Sequence, residues 1–358
     1  SMAFKPSNFK SFINNKLKQG KLNIDLEVFL DDNYLIKNYI ARGSVKNLKA
    51  EILNNINLNE INFNFFADKS DVLITNIFGK TGAIKIVDGD LKLELFPEII
   101  ITANFNTEIQ YNNKLLNEKN LLKDFKYIND IIDLEAVLNN RILIHFDKTY
   151  KVKKYNYEND GNIIGASFNI EQSLGENFLK DKTNQLSIID SKIKSIISSK
   201  KNSTNISGKY SLNKGNFLSF NLENIIVGEL FKLKLDADYD NIIKLNLINY
   251  QKPKDIIANL SLDLVKQKNI VNIKKVNLIE GNNSIIAEGI IIDKNKFLSI
   301  KNISVKTREG RKKNNDFSIF YGNKIIIKGN QFDGSNLPKF FNQKSRKNSL
   351  SHINKDIE

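Results

Sequence analysis

The chain has 358 residues, 41% of them hydrophobic, with no Cys, no Trp and a single Met. Without cysteine there is no disulfide framework and no thiolate metal site. The formal net charge of +14 rests on Lys far more than on Arg in an Asn/Lys/Ile-rich chain, which argues against a surface built to read phosphates bidentately.

Taken in order, the chain begins with helical spacing. Phe9, Phe12, Ile13 and Leu17 share one face, and Pro6-Ser7-Asn8 offers capping residues, which predicts a short helix over 6–17. A strand follows over 22–29, where Leu22, Ile24, Leu26 and Val28 alternate with polar residues. From there nearly every pattern is β. Ile61, Phe63 and Phe65 alternate with Asn62 and Asn64, 72–78 forms a further strand, Gly79-Lys80-Thr81-Gly82 reads as a turn, and Leu91, Leu93 and Leu95 alternate with charges. The steps Leu121, Phe125, Ile128 and Ile132 predict a second helix over 121–138. Strand alternation resumes at Ile142, Ile144 and Phe146. Residues 171–204 are ambiguous: Leu186, Ile189, Ile193 and Ile196 fit a helix, 188–197 fits a strand, which is preferred, and 198–205 reads as a polar loop.

The clearest strand is 231–240. Phe231, Leu233, Leu235, Ala237 and Tyr239 take one face, and Lys232, Lys234, Asp236, Asp238 and Asp240 the other. Such strict alternation excludes burial on both faces. The same two-faced pattern is read at 244–249, at Leu260, Leu262 and Leu264, at Phe317, Ile319 and Tyr321, and at Ile325 and Ile327. Gly208, Gly228, Gly289 and Gly329 mark strand ends or kinks. No run reaches the ~18–20 apolar residues of a membrane helix. No signal peptide is visible, and Ser1-Met2 reads as an expression scar.

Chemistry-bearing motifs are scarce. The only histidines are His145, on a predicted strand, and His352 in the polar tail, so no catalytic triad or metal cluster is readable. Gly79-Lys80-Thr81-Gly82 lacks the full phosphate-loop spacing. Arg308, Arg311, Lys312 and Lys313 form the densest basic cluster. It reads as a solvated loop, or as a weak contact for anionic head groups. No cofactor, metal or nucleic-acid partner is expected.

One stretch occurs almost twice. Phe332, Ser335, Asn336, Phe340, Asn342 and Lys344 align with Phe4, Ser7, Asn8, Phe12, Asn14 and Lys16 at an offset of 328 residues (332 less 4). With a small insertion, Asp356-Ile357-Glu358 matches Asp25-Leu26-Glu27. This predicts a slice through a repeating architecture. A weaker echo at an offset of 118 (142 less 24) sets Ile24, Leu26 and Val28 against Ile142, Ile144 and Phe146.

The short alternating strands ending in Ala287-Glu288-Gly289-Ile290 and Ile327-Lys328-Gly329-Asn330, the closing Phe332-Asp333-Gly334-Ser335-Asn336-Leu337, and the run Ala41-Arg42-Gly43-Ser44-Val45 leading to Phe63-Asn64-Phe65 and Asp88-Gly89-Asp90-Leu91 resemble the AsmA-like family of bacterial envelope proteins, within the bridge-like lipid transfer class. The resemblance implies an elongated, twisted antiparallel sheet curled into a trough, anchored in the inner membrane, reaching across the periplasm of a Gram-negative envelope and carrying phospholipid acyl chains between the inner and outer membranes. The family's usual N-terminal membrane helix is missing from this sequence.

The expectation is therefore a mainly β protein, an elongated antiparallel sheet with a few short helices, non-enzymatic and lipid-binding. Its segments are 1–120, a helix plus β repeat; 121–204, a second helix plus strands; 205–331, an antiparallel meander; and 332–358, the start of the next repeat. The expected lipid groove is lined by Leu233, Leu235, Ala237, Tyr239, Leu245, Leu247, Leu260, Leu262, Leu264, Phe317, Ile319, Ile325 and Ile327. The competing reading is a structural or adhesive β-solenoid with a dry core. A glycan-processing enzyme would need a convergent acid pair that is not readable.

Overall fold

The computed structural model describes residues 17–51, 57–112, 131–147, 149, 151–170, 183–294, 296–309, 312–322 and 324–336. Among them the chain is almost entirely β. Nineteen strands belong to antiparallel sheet, and two more form a separate ribbon. Residues 6–16 of the first predicted helix, most of 332–342 and 121–130 of the second predicted helix lie outside the described residues, and Leu17 belongs to a strand.

The first compact unit runs from β1 to β8 and takes in Ile188–Asn202. Its strands are β1 (Leu17–Leu30), β2 (Ile36–Glu51), β3 (Asn57–Ala67), β4 (Asp71–Thr81), β5 (Ile84–Glu94), β6 (Ile99–Asn112), β7 (Ile131–Phe146) and β8 (Val152–Asn169), with most of β9 (Gln185–Ser198). From β1 to β8 each strand pairs antiparallel with the next. The second unit holds β10 (Asn202–Leu212), β11 (Leu218–Val227), β12 (Leu230–Tyr239), β13 (Ile243–Leu245), β14 (Tyr250–Lys252), β15 (Ala258–Gln267), β16 (Ile270–Glu280), β17 (Asn283–Asp293), β18 (Lys296–Ser299), β19 (Asn302–Glu309), β20 (Lys312–Tyr321) and β21 (Ile325–Gln331). Here β11, β12, β15, β16, β17, β19, β20 and β21 pair in that order, with β18 beside β17. Neither meander closes into a barrel among the described residues.

Several predicted elements change. Ile131–Leu138 is the start of β7, not helix. The apolar steps there also fit period two, with Asp133 and Glu135 alternating with Leu134 and Ala136, and the open edge of β6 offers a backbone partner along the whole strand. β4 runs through Thr81, so the turn shrinks to Gly82-Ala83, with Gly82 at φ +56°. The polar loop shrinks too. Residue 202 already begins β10, because the Ser198 hydroxyl closes a tight turn by donating to the Lys201 carbonyl at 2.8 Å. Over 188–197 the strand reading holds, while 171–182 lies outside the described residues.

Bulges fall side by side on adjoining strands. In the first unit, register shifts lie between Val45 and Leu48, between Asn62 and Asn64, and between Ile86 and Asp88, and Asn47 and Asn76 take positive φ. In the second, β16 carries an extra residue opposite the Asp263–Leu264 step, and on β17 Gly289 has φ +66°. Neighbouring bulges crease a sheet and increase its local twist.

Candidate functional site

The second unit aligns its apolar residues across the sheet. Cross-strand register places Phe220, Ala237, Leu260, Leu278, Ile285, Val305, Phe317 and Gly329 in one row. The adjacent row is Leu222, Leu235, Leu262, Val276, Ala287, Ile303, Ile319 and Ile327. Both rows lie on one face, because side chains alternate along every strand. The other face carries Lys232, Lys234, Asp236, Asp263 and Lys275 on β12, β15 and β16. Branched aliphatic pairs in direct register stabilise the sheet and extend the apolar surface beyond the reach of any single strand.

One end of that face is covered. Residues 240–257, between β12 and β15, form an insert. It is closed at its base by the Asp255 amide donating to the Asp240 carbonyl at 2.8 Å. The insert consists of the ribbon β13–β14 joined by a 3-10 turn over Asn246–Ile248, with Asn249 left-handed at φ 47°. Ile243, Ile248 and Tyr250 pack with Tyr239, Ala258, Leu278, Val305 and Phe317 in one buried cluster, with Ala258 at 0% exposure. Polar groups secure the contact. The Asn315 carboxamide donates to the Ile248 carbonyl and to Thr307 Oγ1, both at 2.8 Å, and accepts the Asp333 amide at 2.9 Å. Lys252 is fully buried, donates to the carbonyls of Asn241 and Pro253 at 2.9 Å each, and lies over the Tyr239 ring. Burial pulls the Lys252 pKa down. Phe332 meets Phe317 edge-on, with ring centroids 5.1 Å apart. Asn249 bridges Asp333 and Asn336 at 2.8 Å each, which straps the start of the repeated Phe-Asp-Gly-Ser-Asn stretch onto the insert.

This cover divides the predicted groove residues. Tyr239 and Phe317 are buried in the sealed cluster, with Leu260 and Ile319 packed against it. Ala237, in the same row as Leu260, is buried as well. Leu233, Leu235, Leu262 and Leu264 lie in register beyond the insert and stay half-buried. Ile325 is buried on the last strand, while Ile327 is exposed. Leu245 and Leu247 are not on the sheet. Leu245 ends β13 and packs on the cluster, and Leu247 points outward from the 3-10 turn. The strand expected over 244–249 fails because Asn249 takes the left-handed conformation, which asparagine tolerates, and turns the chain back on itself. Of the basic cluster, Arg308, Lys312 and Lys313 are exposed at the β19–β20 hairpin, where Lys313 pairs with Asp316 at 2.9 Å. Arg311 lies outside the described residues.

The first unit repeats the arrangement, which the predicted groove did not include. Leu26, Ala41, Ala67, Val72, Leu93, Ile101, Ile144 and Tyr155 form one cross-strand row from β1 to β8. On β1 the apolar side chains stay open, with Leu22 at 62%, Ile24 at 47%, Leu26 at 56% and Val28 at 47% exposure. On the same strand's other face, Arg42 of β2 pairs with Asp25 at 3.0 Å and Glu27 at 2.9 Å. A polar island interrupts the apolar face further along. Tyr157 donates to Asn140 at 2.7 Å, and Asn140 donates to Thr107 at 2.9 Å and to the Phe105 carbonyl at 3.1 Å. Regular alternation around Ile24, Val28, Leu91 and Ile101 carried the signal for this second face.

Among the described residues no group of His, Cys, Asp and Glu is placed to hold a metal, and no helix is long and apolar enough to cross a membrane. His145 sits 3.7 Å from Glu98 on the first unit's sheet. No protein-family model, curated protein or solved structure matches the chain.

Proposed function

We propose that this chain is a non-enzymatic lipid-binding module whose apolar sheet faces take up phospholipid acyl chains. One observation carries the reading. In each unit apolar side chains stand in register across successive strands on one face, and part of that face stays open to water. A soluble sheet normally buries such a face against a second layer. Among the described residues the insert covers only one end of the second unit's face. A diacyl lipid exposes on the order of 30 methylenes at roughly 0.8 kcal/mol each, or about 25 kcal/mol in all. An apolar strip of aligned Leu, Ile and Val removes much of that cost without chemistry. The resemblance to AsmA-like envelope proteins extends the proposal to a curled, trough-like sheet, to lipid transfer between inner and outer membranes, and to a periplasmic location. The binding residues in the second unit are Leu233, Leu235, Leu262 and Leu264, with Ile327 at the far strand.

A specific observation favours a dry structural core at the insert end, where Ala258, Val305 and Phe317 are sealed. The lipid reading is therefore confined to the open part of the face.

The test is native mass spectrometry with solvent extraction of whatever the purified chain carries. Leu235 and Leu262 are direct cross-strand partners, so Leu235→Asp with Leu262→Asp sets two carboxylates opposite each other on the open strip. Phospholipid is expected to co-purify with the wild type and to fall at least about tenfold in the double variant, a differential affinity of roughly 1.4 kcal/mol or more. Lys234→Asp on the opposite face is expected to leave it unchanged. A double variant with native circular dichroism and undiminished lipid sinks the assignment.

A further inference from the structure

Where the insert meets the sheet of the second unit there is a polar cavity of about 870 Å³. It is bounded by Asn249, Tyr250, Gln251 and Pro253 of the insert, by Glu280–Asn283 at the β16–β17 turn, and by Arg308 and Asn314 of the β19–β20 hairpin. We propose that this cavity binds a neutral saccharide. The inference does not depend on the acyl-chain reading.

The walls are fixed by their own hydrogen bonds. The Tyr250 hydroxyl donates to Glu280 Oε2 at 3.0 Å, and Asn283 Nδ2 donates to the same oxygen at 2.6 Å. Asn283 Oδ1 accepts the Arg308 amide at 2.7 Å. Asn314 Oδ1 accepts the Thr307 hydroxyl at 2.7 Å, and Asn249 is held by Asp333 and Asn336. Ligand binding would not have to order these groups, and such preorganisation favours affinity. The groups left over are the second oxygen of Glu280, the Arg308 guanidinium and the carboxamides of Gln251 and Asn282. Among the described residues none of them has a hydrogen-bond partner.

Their chemistry selects the ligand. Among the described residues the cavity is lined by one carboxylate, Glu280, and one guanidinium, Arg308. A phosphate or sulfate would face Glu280, and a cation would face Arg308, so neither charge is matched. Carboxamides, a guanidinium and a carboxylate oxygen together give donors and acceptors side by side, which is what vicinal hydroxyls present. The volume lies within the roughly 300–1,000 Å³ typical of ligand sites, with room for more than one sugar ring. The apolar edge of Pro253 can meet the C–H side of a ring.

The saccharide is either free or the head of a glycolipid, and the experiment separates these sources. Maltotriose, lactose, chitobiose and inorganic phosphate are titrated into the whole chain by calorimetry and ligand-observed NMR. Vesicles of phosphatidylcholine with and without a glucosyl diacylglycerol are tested in parallel by flotation. Arg308→Ala with Asn282→Ala changes two exposed side chains and is expected to leave folding intact, as checked by circular dichroism. At least one probe, a free saccharide or the glucosylated vesicle, is expected to bind at a Kd below about 1 mM and to weaken at least tenfold in the double variant. Free-sugar binding assigns a soluble glycan, and binding to glucosylated vesicles alone assigns a glycolipid head. Phosphate binding in place of sugar, no binding by any sugar probe, or binding undiminished in the folded variant overturns the proposal. Leu235→Asp/Leu262→Asp is expected to leave sugar binding intact, so loss of acyl-chain binding and loss of sugar binding are read separately.

Discussion

Phe317→Ala tests whether the insert seals one end of the apolar face. Phe317 is 4% exposed, lies in the cluster with Ile243, Ile248 and Tyr250, and touches the edge of Phe332. Truncating a buried Phe loses its transfer free energy and leaves a cavity, for about 3–5 kcal/mol. The ring pair with Phe332 adds about 0.5–1.5 kcal/mol. Relaxation is limited here, because a Cβ on the adjacent Gly329 would already lie 2.5 Å from the Phe317 backbone. The strands are too close to collapse further on that side. The expected destabilisation is thus about 4 kcal/mol, a urea midpoint lower by more than about 1 M at an m of roughly 3 kcal/mol/M. The chain has two compact units, so a single global transition is a poor reporter. Amide exchange of β19–β21 and of Tyr250–Lys252 reports on the second unit directly, and these amides should lose protection together. A double-mutant cycle with Phe332→Ala should return a coupling of about 0.5–1.5 kcal/mol. A loss under about 1.5 kcal/mol, with β13–β14 protection unchanged, would refute the claim that the insert and sheet share one core.

Two further predictions concern the polar fastenings of the same insert. Asn315→Ala removes the donor to the Ile248 carbonyl and the acceptor of the Asp333 amide, and Asn315 has 0% exposure. Buried orphans cost about 1–3 kcal/mol each, so the variant should lose about 2–4 kcal/mol by chemical denaturation, and a stability within 0.5 kcal/mol of wild type (roughly the spread of neutral surface changes) counts against the strap. The Asp333 carboxyl is held below its ordinary value, first by the Ser335 hydroxyl and then by Asn249. A depressed carboxylate stabilises the fold above the unfolded value of 3.8 and loses that contribution as pH falls through the lower folded value. Acid unfolding of the second unit followed by tyrosine fluorescence should therefore begin below about pH 4, and Asp333→Asn should flatten the slope in that window. An identical acid limb in the variant would remove Asp333 from the account.

The β character of this chain was legible because a strand carries its address in period two. Leu233, Leu235, Ala237 and Tyr239 against Lys232, Lys234, Asp236 and Asp238 admit only a strand wet on one side. The antiparallel order followed from the turns and the lack of crossover helices. Where apolar residues fit both periods, as over 131–138, local spacing misled, and the open edge of β6 decided for strand. The apolar face of the first unit was equally written in alternation, at Leu22–Val28 and Leu91–Leu95, but nothing local says that these strands share a row.

What the sequence by itself determined is which side of each strand is apolar. That property belongs to single residues and their spacing. What only the tertiary structure decided is which part of the apolar face stays open. The insert of 240–257 folds back on its own sheet through Ile243, Ile248 and Tyr250, in a stretch whose alternation at Ile243, Leu245 and Leu247 reads as a strand until Asn249 turns left-handed. Covering a face depends on contacts between residues far apart in the chain, such as Asn315 with Ile248 and Phe317 with Phe332. The polar cavity depends on three separate turns meeting, and no periodicity in the chain encodes that meeting.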